Sequence, residues 1–444
     1  MSGNTAPGLI IAAPASGSGK TLFTQALLRH LKASKTAVAS AKSGPDYIDP
    51  HFHSLASGRT CINLDSWAMR AGILTHLLDR LSIDTDLILC EGVMGLFDGA
   101  GIDDENADGS TASLARKTGW PVLLIVDAAK QAQSVAALVR GFVNHAPDVN
   151  VAGVIFNRVG SPAHEALLRK SMQKHLPDVR VLGALPRSPD LVLPERHLGL
   201  VQAQEHKDHD AFLEIAARWV AKHIDIAQLV ALAQPAKPQP IPAIENALIP
   251  LGSRIAVAND VAFAFSYPSI LQGWRNQGAE ILPFSPLSGD HPDKTCDAVY
   301  LPGGYPELHA GTLSTNGFLD GLKDAQKRSA SIYGECGGFM VLGQGLIDAD
   351  GTRHKMAGLL AVETSFATRK LHLGYRQTTL TTDAPIGKKG QRFKGHEFHY
   401  ASIISSHQSQ PLFQATTAQG DPLEDLGCIS GQVAGSFMHL IDQA

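Results

Sequence analysis

An α/β fold in two domains, each built on a parallel sheet, is what the sequence predicts, and three observations predict it. Brief branched apolar runs alternate with helix-length amphipathic segments from the start of the chain. Several of those runs end in glycine-containing turns, and 42 glycines among 444 residues supply such turns in number. A proline-rich stretch then separates two such patterns. A chain this long exceeds one ordinary core and calls for two or three domains.

Taken in order, residues 9–13, 87–90, 122–126 and 151–156 read as buried strands, being short, branched and almost free of polar residues. Residues 21–32 and 134–145 read as helices between them, which gives a parallel sheet covered on both faces. This first domain is expected to span residues 1–230. Residues 231–251 carry Pro235, Pro238, Pro240, Pro242 and Pro250. Proline disrupts helices and central strands alike, so an extended, semi-rigid linker is expected there. The second domain, 252–444, repeats the pattern with strands at Arg254–Ala258, 280–283, Ala298–Leu301 and 331–333.

Composition narrows the function classes. With 44% apolar and 18% charged residues the chain is globular rather than disordered. A formal net charge of −4 gives no electrostatic case for nucleic acid or a membrane surface. The five cysteines (Cys61, Cys90, Cys296, Cys336 and Cys428) are odd in number, dispersed and free of CxxC spacing. That argues against a disulfide framework or a zinc site and for a reducing compartment. No run reaches the ~18 apolar residues of a membrane span. The apolar start lacks a basic leader and runs directly into Gly17-Ser18-Gly19-Lys20-Thr21, so a cytoplasmic location is expected.

Pro14-Ala15-Ser16-Gly17-Ser18-Gly19-Lys20-Thr21 follows a predicted strand and opens a predicted helix, the context a phosphate loop requires. Backbone N–H groups of Ser16 to Thr21 and the helix N-terminus would cradle phosphates, Lys20 would reach their oxygens, and Thr21 would offer a hydroxyl to Mg2+. Pro14 stands where the usual pattern has its first glycine. The competing reading is a Gly/Ser turn that merely caps a helix. A hard cation also needs carboxylates. Glu91 ends a buried strand, on the edge of an open α/β sheet where ligands bind. Gly44-Pro45-Asp46-Tyr47-Ile48-Asp49-Pro50 places two acids three apart in a loop, where turn chemistry and function compete evenly. Asp98, before Gly99, is similarly open.

Ser331-Ile332-Tyr333-Gly334-Glu335-Cys336-Gly337-Gly338 reads as strand, sharp turn and helix, with the cysteine at the apex. Glycines beside a nucleophile permit a strained elbow and close approach of substrate. The N–H of Gly337 would serve an oxyanion, and Gly304, in a second strand-ending glycine turn, would supply another donor. Cysteine needs a base to attack at neutral pH. Among 19 histidines, His439 is the candidate, following a small-residue strand near the chain end. On spacing alone Cys336 would be an inert buried thiol and His439 a surface histidine; the two contexts together favour chemistry. His396 and His399 are three apart, not in HExxH spacing. His51 and His53 would share one strand face with no evident third ligand.

Taken together these residues resemble the cobyrinic acid or hydrogenobyrinic acid a,c-diamide synthase family of corrinoid biosynthesis, over nearly the whole chain. The resemblance rests on SGSGKT (16–21), KSGPDYIDP (42–50), NLDSW (63–67) and EGVMGLFDG (91–99), then LPGGYPE (301–307), GECGGFM (334–340), GHEFHY (395–400) and SFMHL (436–440). It implies a dethiobiotin-synthetase-like ATPase domain joined to a class I glutamine amidotransferase-like α/β domain. The implied reaction amidates the a- and c-acetate carboxylates of a corrinoid, with ATP and glutamine as co-substrates and Mg2+ as cofactor. By the same resemblance Thr21, Asp46 and Glu91 hold metal, and Tyr47, Ile48, Asp49 and Asp98 line the carboxylate-activation region. Asn157, after a strand, is expected at the adenine. Many class I amidotransferases place a third acid two residues after the histidine; here that position is Ile441, which implies a Cys–His pair. NLDSWAM tilts the substrate toward the metal-free, hydrogenobyrinic form. The expected partner is the corrinoid alone, without nucleic acid or membrane, and a homodimer stays open.

Two other readings compete. A cobyric acid synthase would amidate other corrin carboxylates, against which GPDYIDP and EGVMGLFDG argue. A partitioning-type nucleotide switch with an inactive amidotransferase domain would carry a second lysine early in the loop, where this chain has Ala15.

Overall fold

The computed structural model describes residues 5–101, 104–191, 195–196, 199–200, 208–238, 242–244, 246–406 and 410–444. Pro240 of the proline-rich stretch lies outside the described residues. Contacts divide the chain into two units, Met1–Trp67 with Leu74–Ala243, and Ala68–Ile73 with Ile244–Ala444.

The first unit is organised by seven parallel strands: β1 (Pro7–Ala12), β2 (Val38–Ser43), β3 (Ile62–Leu64), β4 (Leu87–Glu91), β5 (Val122–Asp127), β6 (Val151–Val159) and β7 (Arg180–Pro186). They lie in the order β3-β2-β4-β1-β5-β6-β7. The central strands are apolar up to their carboxyl ends because neither face meets water, and Leu9, Ile11, Leu123 and Ile155 share one core with Phe23 and Leu27 of helix α1 (Lys20–Ala33). Gly8 is needed at the start of β1, since a Cβ there would lie 2.2 Å from the buried Trp120 ring. Part of the proline-rich stretch belongs to this unit: Gln234–Pro235 pairs antiparallel with Gly8 and Pro7.

Register gathers chemistry at the carboxyl edge. Ile11 of β1 and Lys42 of β2 both lie opposite Glu91 of β4, while Asp127 of β5 lies opposite Asn157 of β6. His51 and His53 do not share a strand face as expected: they fall in helix α2 (Asp49–Ser57), which Pro50 opens in its first turn.

The second unit carries β8 (Arg254–Ala258), β9 (Glu280–Phe284), β10 (Ala298–Leu301), β11 (Ser331–Glu335), β12 (His372–Leu380), β13 (Arg392–His399), β14 (Phe413–Thr417), β15 (Cys428–Ser430), β16 (Val433–Ser436) and β17 (His439–Gln443). One sheet runs β9-β8-β10-β11-β16-β15, parallel except for β15. A separate antiparallel sheet runs β14-β12-β13-β17. Only Phe437 and Met438 separate β16 from β17, so the chain passes from one sheet to the other immediately before His439. Within this unit Arg70, from the segment Ala68–Ile73, donates to both oxygens of Asp442 on β17.

Candidate functional site

In the first unit the turn after β1 takes the shape the glycines allow. Gly17 and Gly19 have φ of 74° and 96°, the left-handed region where other residues are strained. Ser16 and Gly17 are exposed at the loop tip, and the Ser18 hydroxyl donates to the Ala15 carbonyl at 2.8 Å. Asn157 stands behind the loop: its Nδ2 donates to the Ser18 carbonyl at 2.8 Å, and a Cβ on Gly19 would lie 2.2 Å from that nitrogen. The Arg158 N–H takes its oxygen at 2.9 Å, so both ends of the Asn157 amide are engaged by backbone. Lys20 Nζ, buried, donates to the Met94 carbonyl at 2.6 Å. That bond ties α1 to the segment after β4, and the bond from Leu96 N–H to the Ala13 carbonyl ties the end of β1 to the same segment.

Behind the loop lies a dense charge cluster. Lys42 Nζ sits 2.6 Å from Asp49 Oδ2, 3.1 Å from Glu91 Oε1 and 3.5 Å from Asp46 Oδ2. Thr21 donates to Glu91 Oε1 at 2.8 Å and lies 3.3 Å from Asp49 Oδ2. His53 Nε2 meets the other Glu91 oxygen at 2.5 Å. Burial opposes charge on Lys42, Glu91, Asp49 and Lys20, and their partners oppose or reinforce it. Burial would neutralise Lys42, but Asp49, Glu91 and Asp46 together push its proton affinity well above the ordinary lysine value. Burial would also protonate Glu91, yet Lys42 and His53 hold it well below the ordinary carboxylate range. Asp49 goes the other way: burial and the Asp46 charge raise it well above that range, Lys42 notwithstanding. Burial lowers Lys20, with Glu91 opposing.

Asp46 Oδ1 accepts from the N–H groups of Ile48 and Asp49 at 2.8 and 3.0 Å, so it shapes the turn into α2 as well as facing Lys42. Tyr47 and Ile48 are buried between these acids. Asp98 is exposed, and its Oδ2 accepts from Gly95 N–H at 2.8 Å. A Cβ on Gly95 would press on that carboxylate and on the Pro14 carbonyl, at 2.6 and 2.7 Å, so Asp98 lies close to the phosphate loop. The turn into α2 and the approach to Lys42 thus involve the same Asp46 carboxylate.

In the second unit Cys336 sits between β11 and the short helix α3 (Gly337–Leu342) at φ 45°, ψ −103°. A cysteine at positive φ is strained, and surrounding bonds hold it there. Its N–H donates to the Ser436 carbonyl at 2.8 Å, and Gly338 N–H donates to the Pro302 carbonyl at 3.1 Å. Gly338 admits no side chain, since its Cβ would fall 2.0 Å from the Leu301 carbonyl oxygen. The elbow faces His439 across Gly303: a Cβ there would be 2.4 Å from His439 Cε1, 3.1 Å from its Nε2 and 3.3 Å from Cys336 Cβ. Gly304 and Gly337 also come together, with 3.0 Å between Gly304 N and the place of a Gly337 Cβ.

This group is buried and held neutral. Burial, reinforced by Glu307, pushes the Cys336 thiol well above its ordinary value, although the Gly337 N–H bonds to the sulfur. Burial lowers His439 to about 3, with His399 adding to the effect and Glu397 opposing it. His439 Nε2 lies on the Gly303 and Cys336 side, and Nδ1 faces Glu335 Oε2 at 3.7 Å.

The structure thus brings together Ser18, Gly19, Lys20, Thr21, Asp46, Asp49, Glu91 and Asn157 in one unit, and Cys336, His439, Gly304 and Gly337 in the other. Reading residues in sequence order gave no role to Lys42, Gly303 or Glu335, and weighed His53 only as a metal ligand. Lys42 carried a legible signal, a lysine inside a wholly buried strand that requires counter-charges.

Comparison with known proteins completes the description. Residues 9–201 match the CobQ/CobB/MinD/ParA nucleotide binding domain, and residues 254–444 match the CobB/CobQ-like glutamine amidotransferase domain. The chain is 51% identical over 439 residues to the hydrogenobyrinate a,c-diamide synthase of Brucella anthropi, covering 98% of both chains. It is 52% identical to the enzyme of that name from Brucella suis, again over 98% of each. Identity to the one from Rhodobacter capsulatus is 48%, over 98% of each. Among the described residues no helix is long and apolar enough to cross a membrane.

Proposed function

We propose, from the premise that the chain belongs to the family of the hydrogenobyrinate a,c-diamide synthases, that it amidates carboxylates a and c of hydrogenobyrinic acid with ATP and glutamine. The observation that carries this reading is Cys336, held at a strained elbow with His439 facing it across Gly303. A nucleotide switch has no use for a nucleophile kept in that conformation.

The chemistry divides between the units. In the second, Cys336 attacks the glutamine side-chain carbonyl while His439 accepts the thiol proton and returns it to the departing ammonia. The thioester formed is then hydrolysed to glutamate. The N–H groups of Gly304 and Gly337 would receive the oxyanion. In the first, the backbone of residues 16–21 and Lys20 bind the ATP phosphates, with Asn157 holding the loop in shape. A substrate carboxylate attacks the γ-phosphoryl group, ADP leaves, and the acyl phosphate offers ammonia a leaving group that a bare carboxylate lacks. Tyr47, Ile48, Asp49 and Asp98 line that region.

The oxygens of Thr21, Asp46, Asp49 and Glu91 are hard donors suited to Mg2+. Three carboxylates, Asp46, Asp49 and Glu91, share one Lys42 ammonium there, and a divalent cation would offset the remaining negative charge. Mg2+ bound there would draw charge off the phosphate oxygens during transfer. A cytoplasmic location accords with five free cysteines, all buried.

The test is ADP release with Mg2+-ATP and glutamine, with and without hydrogenobyrinic acid, for the wild type and Cys336→Ala. Corrinoid-triggered ADP release, a product that gains two nitrogens, and a variant that works only with added ammonia are expected. Indifference to the corrinoid, together with a variant that behaves as wild type, would overturn both the substrate and the glutaminase assignments.

A further inference from the structure

We propose that Glu335, the residue immediately before the nucleophile, is the positioning acid for His439, supplying from upstream the carboxylate that Ile441 does not supply from downstream. This rests on the reading of Cys336 and His439 as the glutaminase pair. Three contacts carry it. Glu335 Oε2 faces His439 Nδ1 at 3.7 Å, on the side of the ring away from Gly303 and Cys336. Its Oε1 accepts from the Leu440 N–H at 3.1 Å, so the same carboxylate pins the backbone next to the histidine. Tyr300 donates to Oε2 at 2.8 Å and fixes the rotamer. The approach to Nδ1 is somewhat longer than a hydrogen bond, as catalytic contacts often are before substrate tightens them.

Chain geometry makes the arrangement a consequence of the fold. Glu335 lies opposite Ser436 in the parallel pairing of β11 with β16, and β17 begins three residues later with His439. The elbow turns Cys336 away from the strand direction, so consecutive residues approach the histidine from two sides. One presents sulfur on the Nε2 side and the other a carboxylate at Nδ1.

The charged and titratable groups facing Glu335 are Tyr300 on β10, Tyr333 on its own strand, His396 on β13, His439 on β17 and the adjacent Cys336. Apolar Ile270, Trp274, Phe393 and Leu440 line the pocket around them. Burial raises Glu335 to about 7, against the bonds from Leu440 and Tyr300. Glu397 is the alternative acid, because its charge also favours the imidazolium of His439. It is held by Arg376 at 2.7 Å, however, and its nearer histidine is His399, at 3.7 Å.

The role is electrostatic and leaves the proton count unchanged. The thiol proton moves from Cys336 Sγ to His439 Nε2, Nδ1–H stays on the ring, and ionised Glu335 offsets the imidazolium charge. With Glu335 protonated that offset is lost, so glutamine hydrolysis should fall as pH drops through about 7.

The experiment is the pH profile of glutamine hydrolysis for the full-length wild type and for Glu335→Gln, Glu335→Asp, Tyr300→Phe and Glu397→Gln, with melting curves as the folding control. Cys336→Ala is run alongside. Glu335→Gln should lower kcat roughly 10²-fold with little change in KM and abolish the acid limb. Glu335→Asp should keep the limb and recover part of kcat. Tyr300→Phe removes a donor to the carboxylate and should move the limb to higher pH; this variant decides the matter if Glu335→Gln does not fold. Wild-type kcat and limb in Glu335→Gln, an unmoved limb in Tyr300→Phe, or loss of the limb in Glu397→Gln instead would each overturn the proposal. Undiminished hydrolysis by Cys336→Ala would instead overturn the glutaminase reading beneath it.

Discussion

The charge cluster of the first unit and the nucleophile group of the second are both buried, yet they handle burial in opposite ways. Around Lys42 the ammonium and the Glu91 carboxylate keep their charge, because Lys42 Nζ lies 3.5 Å or less from Asp46, Asp49 and Glu91, while burial and the Asp46 charge raise Asp49 alone. Around Cys336 charge is suppressed: the thiol is pushed up, His439 is pushed down to about 3 and Glu335 rises to about 7. The difference follows from partners rather than depth, since burial opposes charge on Lys42, Asp49, Glu91, Cys336, His439 and Glu335 alike. A site for a polyanionic nucleotide benefits from fixed charges already in place, which need not reorganise when phosphate arrives. A site for a neutral amide benefits from reactants that stay neutral until substrate is aligned, which protects the thiol from side reactions.

The largest effect that would break this contrast is on the first unit. Lys42→Met leaves three carboxylates facing one another without their shared cation. Removing one partner of a buried ionic group costs about 3–5 kcal/mol, so the variant should melt at much lower temperature and lose ATP-dependent turnover. The sign with pH follows from Glu91, whose folded-state proton affinity is lowered. Its stabilisation is present above the ordinary glutamate range and is lost as pH falls through and below it. In Lys42→Met that dependence should shrink, because Glu91 would no longer be held so low. A melting temperature equal to wild type would show that the cluster is not held together by Lys42.

A sharper probe of the second unit is Gly303→Ala. Its Cβ would overlap His439 Cε1 at 2.4 Å and press on Cys336 Cβ at 3.3 Å, so the imidazole must move. A displacement near 1 Å at a reacting group can lower the rate by about 10²-fold. Glutamine hydrolysis should fall by that order while ammonia-supported amidation continues. Equal loss of both would mean that the substitution damages the fold and not the alignment of the pair.

How legible each site was follows the same division. The phosphate loop and the elbow are local: strand, glycine turn and helix are contiguous, and their residues could be named from sequence. The carboxylate that faces His439 Nδ1 could not. Ile441 occupies the usual position, and Glu335 reaches His439 only because β11, β16 and β17 come together. A signal was present, since an acid ending an otherwise apolar strand needs a reason to be there. Lys42 and His53 depend on register in the same way, through the β2–β4 pairing and one helical turn of α2 after Asp49. The antiparallel sheet that carries His439 was hidden because β12 is polar and only partly buried along most of its length, so it lacks the clean apolar run of the parallel strands.

The smallest expected effect separates two roles for Asn157, adenine contact and support of the phosphate loop. Its Nδ2 donates to the Ser18 carbonyl and its oxygen accepts from Arg158 N–H, which leaves one N–H and one lone pair for a base edge, so both roles are chemically open. Asn157→Ala would remove one neutral hydrogen bond behind the loop, worth about 1 kcal/mol, or roughly fivefold in affinity. A loop-supporting residue should weaken ATP and GTP binding equally, because both present the same triphosphate. A residue that reads adenine should weaken ATP alone and leave GTP unchanged. Binding of the two nucleotides to wild type and variant therefore decides between them. The loop role predicts parallel losses, small beside those of Lys42 and Gly303, since Gly17, Gly19 and the start of α1 still shape the turn.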